Sequence, residues 1–142
     1  MTHLRDHRGA TAVEFALILP LLICVLFGIV EFSLLMYNKA VITNASREGA
    51  RAGIVFSPRP IESDIIQVVR NYADPRVVSF GAKRSTEPDV VGPTCNAFGD
   101  DLVVEVKYPY EFLVFSKLVG LLGPGSTAGT VTLTARTVMR CE

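Results

Sequence analysis

The sequence predicts an α+β fold. One long N-terminal helix crosses a membrane and continues into a small extracytoplasmic domain, which holds a second helix and a roughly three-stranded antiparallel sheet. Three observations predict this. The uncharged apolar run Phe15 to Val30, extended by Ala10 to Val13 before it and Phe32 to Tyr37 after it, is long enough to span about 30 Å of hydrocarbon. A stripe at helical spacing follows within Ile61 to Ala73. Two later stretches, Leu102 to Tyr108 and Thr130 to Arg140, alternate with a period of two.

The chain has 142 residues, enough for one modest domain beside an anchor. It divides into a leader over residues 1–9, a transmembrane helix over 10–37 and an outer domain over 38–142. Formal net charge is zero, which removes the electrostatic case for a nucleic-acid or anionic-surface partner.

The apolar run reads as a retained anchor. A secretory signal peptide has a shorter core followed by a small-x-small cleavage site, and Phe32 to Lys39 offers none. Cleavage ahead of a lipid-modified Cys24 is excluded because Ile23 is too large for the preceding position. Charge bias leaves orientation undecided: Arg5 and Arg8, offset by Asp6, face Lys39, Arg47 and Arg51 across the span. The short N-flank and the cysteine placement favour a cytoplasmic N-terminus.

At the mouth of this run stands Arg8-Gly9-Ala10-Thr11-Ala12-Val13-Glu14-Phe15. A carboxylate in hydrocarbon costs roughly 2.5–3.5 kcal/mol at a helix centre and less near an interface, so Glu14 calls for a partner or a task. A leader ending in glycine supplies the partner. Cutting after Gly9 frees an ammonium on Ala10, one helical turn from Glu14 or facing the Glu14 of a neighbouring subunit. Alternatively, Glu14 simply marks the membrane interface.

Helical spacing persists beyond the span through Val41, Ala45, Glu48, Gly49 and Ala52, and no proline interrupts until Pro58. A single helix from about Ala10 to about Gly53 follows. Its small residues Ala45, Gly49, Ala52 and Gly53 permit close backbone approach. Packing on its own domain is favoured over dimerisation. Ser57-Pro58-Arg59-Pro60 breaks the helix. The second helix runs from about Ile61 to Ala73, with Ile61, Ile65, Val68, Val69 and Tyr72 as its apolar stripe, Glu62 and Asp64 near its start, and Asp74-Pro75 as its end.

Arg76 to Ala82 reads as the first strand. In the second, Leu102, Val104, Val106 and Tyr108 share one face, with Val103, Glu105 and Lys107 opposite. In the third, Val131, Leu133, Ala135 and Met139 alternate against Thr132, Thr134, Arg136 and Arg140. Phe112 to Leu122 is apolar and forms a short helix or a surface-packing segment. Gly123-Pro124-Gly125-Ser126 is a turn. Gly81 to Asp101 reads as a long polar loop. Its acids Glu87, Asp89, Asp100 and Asp101 lack EF-hand spacing and read as solvated rather than as a calcium site.

Of three cysteines, Cys24 lies in the apolar run. Cys95 and Cys141 in the outer domain suggest a disulfide in an oxidising compartment, against free thiols or intermolecular pairing. It would close a loop of about 45 residues, worth roughly 4 kcal/mol in the chain-entropy model.

No catalytic set is present, and the chain does not read as an enzyme. His3 and His7 both precede the proposed cut, which removes histidine-dependent triads and most zinc chemistry. Pro124 and Ala128 stand where Gly-x-Ser-x-Gly around Ser126 needs glycine. Ser116 and Lys117 are adjacent, which is not the Ser-x-x-Lys spacing. No phosphate-binding glycine loop occurs, and no metal or other cofactor is expected.

Four stretches resemble the TadE-like family, pilin-like proteins (pseudopilins) of the bacterial tight-adherence or Flp pilus. They are Gly9 to Pro20, Ala45-Ser46-Arg47-Glu48-Gly49-Ala50-Arg51-Ala52-Gly53, Val106-Lys107-Tyr108-Pro109-Tyr110, and Thr137-Val138-Met139-Arg140-Cys141-Glu142. The resemblance implies a pilin-like fold and a prepilin-type leader cut by a prepilin peptidase between Gly9 and Ala10. By analogy with type IV pilins it gives Glu14, beside Phe15, the task of neutralising an N-terminal amine during assembly. It also implies a place at the inner membrane with the domain periplasmic, and other pilins, pseudopilins and the assembly platform as partners. TadG-like relatives are commonly longer and major Flp pilins far shorter, so the length points to a minor component. Such a protein serves pilus assembly, surface adhesion and biofilm formation. The competing reading is a single-span envelope protein whose outer domain binds a ligand or surface and never enters a filament. A third is a tip adhesin using the Gly81 to Asp101 loop.

Overall fold

The structure is a computed structural model describing residues 7–55, 59–79, 85–90, 95–114 and 130–141. Helix α1 spans His7–Gly53 without interruption, continuing through Pro20. Helix α2 spans Glu62–Ala73. Strands β1 (Glu87–Val90), β2 (Asp101–Glu111) and β3 (Thr130–Arg140) form one antiparallel sheet in the order β1-β2-β3.

The sheet lies on the outer half of α1. Alternation along β2 turns Leu102, Val104, Val106, Tyr108 and Tyr110 inward, and β3 adds Leu133 and Ala135. These meet Val41, Ile42, Ala45 and Ala50 of α1 and Ile65, Val69 and Ala73 of α2. Burying an aliphatic side chain this fully is worth roughly 1.5–3 kcal/mol, so this shared core dominates the stability of the fold. The register pairs Leu102 with Met139 at one end and Tyr110 with Val131 at the other.

Contacts along α1 fix the direction of the sheet. Val114 meets Glu31, the Lys39 ammonium donates to the Thr134 carbonyl, and the hydroxyls of Ser46 and Thr137 lie 2.7 Å apart. The helix therefore runs parallel to β3. The interval from residue 39 to 46 rises about 10 Å on a helix, and that from 134 to 137 about 10 Å on a strand, so the two elements stay in step.

The small residues of α1 pack against its own domain. A Cβ added at Gly49 would stand 2.3 Å from Val69 Cγ2, and one at Gly53 2.4 Å from Leu102 Cδ2. Buried polar groups in the core are bracketed. The Asn38 amide donates to Val78 O and accepts from Val78 N, both at 2.8 Å. Asp74 Oδ1 accepts from Thr86 N at 3.0 Å and from Thr86 Oγ1 at 2.6 Å.

Three readings of the sequence are corrected. Arg76 to Ser79 forms a turn and an extended connection rather than a strand, and residues 80–82 lie outside the described residues. The first strand is Glu87–Val90, within the stretch read as a loop, and it pairs with Val104 to Lys107. Ile61 is the N-cap of α2 and is exposed, because the helix begins one residue later. Its backbone N–H donates to Asp64 Oδ2 at 3.3 Å. The turn at Gly123 to Ser126 and most of the apolar segment Phe112 to Leu122 fall outside the described residues.

Candidate functional site

Every residue from Gly9 to Val30 is exposed on all sides of α1. The apolar window within this helix has a mean hydropathy of 2.8, with none of it buried. A surface this apolar is unstable in water and suited to lipid or to other apolar helices, and the protein is compatible with a single-pass membrane protein. Glu14 is the one charged residue between Gly9 and Val30.

The sequence-predicted residues fall into two groups. Gly9, Ala10, Glu14 and Phe15 share the first turns of the exposed rod. Ala10 and Glu14 are four apart and so stand on one face. Among the described residues nothing lies within 4 Å of a Cβ built on Gly9, so no packing among them demands glycine there. Cys95 and Cys141 are joined, with Cα atoms 5.7 Å apart, at the far end of α1. Cys95 Sγ lies 3.5 Å from the carbonyl oxygen of Gly53. The rise from Glu14 to Gly53 is about 58 Å, so the two groups occupy opposite ends of the helix.

Around the disulfide the backbone is tightly held. Gly99, at φ 90°, adopts the left-handed conformation that suits glycine and donates its N–H to Cys141 O at 3.0 Å. Asp100 Oδ2 accepts from Ala97 N at 2.7 Å and Asn96 N at 3.1 Å. Asp101 pairs with Arg140 at 3.6 Å. These two acids of the former loop have structural tasks, and Glu87 and Asp89 sit on β1.

Sequence reasoning missed Glu31. It is 5% exposed and accepts a hydrogen bond from the Val114 backbone N–H. The available signal was plain: Glu31 is the first charge after the run that begins at Phe15. Beside it Tyr110 packs edge-on against Phe112, with ring centroids 5.4 Å apart. Burial raises the Tyr110 phenol above its ordinary range, and the Glu31 carboxylate raises it further. Gly28, Glu31, Phe32, Leu35 and Phe112 line an apolar groove of about 290 Å³ at this level. The globular domain thus meets the helix directly where the bare rod stops.

An exposed apolar rod continuous with the helix that packs in a small disulfide-bonded α+β domain defines the class of protein. Residues 9–51 match the family described as TadE-like protein, the family the sequence resembles. The matched stretch holds the rod and the part of the small-residue face that carries Ala45 and Gly49, which closes on Val69 of α2. No curated protein and no solved structure matches the chain.

Proposed function

We propose that this chain is a minor pilin-like protein of the bacterial tight-adherence pilus. A prepilin peptidase cuts between Gly9 and Ala10. The remaining helix holds the protein in the inner membrane, with the N-terminus cytoplasmic and the domain periplasmic. The work is assembly rather than catalysis: the rod packs beside the helices of other pilins and pseudopilins at the assembly platform, and so serves adhesion and biofilm formation.

The observation that carries this reading is the bare rod with Glu14 as its one charge, inside the stretch matched to the TadE-like family. A carboxylate there gains most when a cation meets it at low dielectric. The amine freed on Ala10 is that cation, either on the same chain or on a neighbour.

N-terminal sequencing from the native host tests the cut, and a mature chain beginning at Ala10 is expected. Glu14→Ala is expected to abolish piliation while membrane insertion persists. Unchanged piliation with the first nine residues retained overturns the proposal and leaves a tethered envelope protein.

A further inference from the structure

Resting on the membrane-spanning reading, we infer that the near end of the domain is itself a lipid-binding surface, seated in the boundary between headgroups and acyl chains of the bilayer that α1 crosses. The argument begins with length. From Ala10 to Val30 the bare helix rises about 30 Å, the thickness of the hydrocarbon layer, so the layer is filled before Tyr37 is reached. Glu31 then falls at its edge, and at Glu31 the domain already touches the helix through Val114. Among the described residues, no exposed spacer separates the rod from the first contact with the domain.

Among the described residues at that level, three exposed side chains are apolar and stand beside the exposed Thr130 and Thr132. Leu113 is 38% exposed at the end of β2, and Val131, opposite Tyr110, is 42% exposed at the start of β3. Phe32 on the helix is 63% exposed and forms one wall of the groove closed by Leu35 and Phe112. Gly28 at one end of the groove belongs to the exposed rod, so an acyl chain lying along the rod reaches it, with Glu31 the one charged residue of the lining. The occupant of the groove is therefore a phospholipid chain. Glu31 is accommodated at this depth because the Val114 N–H satisfies its carboxylate from the domain side.

The test is site-directed spin labelling of the full chain in phospholipid nanodiscs carrying one copy each, which removes a second copy as the covering surface. In a Cys24→Ser background, single labels enter at Ile18→Cys, Leu113→Cys, Val131→Cys and Val138→Cys. All four sites are exposed, and Val138 lies on the outer sheet face toward the far end. Retention of the Cys95–Cys141 bond in each variant reports an intact domain. Collision with dissolved oxygen, against collision with a water-soluble nickel chelate, gives depth. Ile18 is expected to favour oxygen strongly and Val138 the chelate. Leu113 and Val131 are expected between them, with chelate collisions several-fold below those at Val138. Leu113 and Val131 labels as open to the chelate as Val138, with Ile18 in lipid, would overturn the seat and leave the span standing. An Ile18 label open to the chelate would sink both.

Discussion

At the residue scale, the same amino acid answers to different constraints along α1. Gly49 and Gly53 are closed over by Val69, Ile65 and Leu102, whereas Gly28 has nothing among the described residues within 4 Å of an added Cβ. Gly49→Ala therefore forces a stiff β-branched neighbour aside. Overpacking of this kind costs about 1–3 kcal/mol, only partly offset by the roughly 1 kcal/mol of helix propensity that alanine brings. A lower melting temperature of the detergent-solubilised chain is expected for Gly49→Ala, and an unchanged or higher one for Gly28→Ala. The tyrosines behave differently. Among the described residues, the hydroxyls of Tyr108 and Tyr110 are buried without a hydrogen-bond partner. Removing an unsatisfied buried hydroxyl relieves a desolvation cost, so Tyr110→Phe is expected to be neutral or to stabilise by about 1 kcal/mol. Burial also holds the Tyr110 proton more tightly in the folded chain than in the unfolded one. The stability this gives is full below the ordinary phenol range and is lost as pH rises through the raised folded value. Melting curves above about pH 10 should fall more steeply for the wild-type chain than for Tyr110→Phe.

At the element scale, the disulfide is the fastening of the far end. Cys95 precedes β2 and Cys141 follows β3, 46 positions later, so their bond closes the β2–β3 hairpin at the Gly53 end of α1. Cys141→Ser is expected to cost about 2–4 kcal/mol, read as a lower melting temperature that added reductant no longer shifts. Both helices and strands β2 and β3 were legible in the sequence because their side chains carry the period. Leu102, Val104 and Val106 stand against Glu105 and Lys107, and Ile65, Val69 and Tyr72 against Glu62 and Asp64. The first strand was not legible. Glu-Pro-Asp-Val has a proline and two acids in four residues, all poor strand formers, and it is ordered by pairing with the edge of β2. Arg76 to Ser79 has the better composition, but Asn38 spends both hydrogen-bonding groups of Val78, leaving none for a ladder. Glu31 itself was legible as the first charge after the apolar run, but its partner was not: the Val114 backbone N–H lies 83 positions away, which no local pattern announces.

At the scale of the whole molecule, the chain is a helix bare over one part of its length and clothed over the rest. The bare part ends where the domain begins, and Glu31 sits at that seam. Of the candidate site, Gly9, Ala10, Glu14 and Phe15 could be read from the sequence because they form a short local pattern. The groove at Gly28 and Phe112 could not, because it depends on where the hairpin lands on the helix. The lengthwise lay of that hairpin has a mechanical consequence. Lys39 with Thr134 and Ser46 with Thr137 cross the same seam at successive heights, and Gly49 and Gly53 are wedged above them. A tensile load along the rod strains these fastenings in shear, all together, rather than unzipping them one after another. Such a joint resists traction on its long axis far better than a sideways peel.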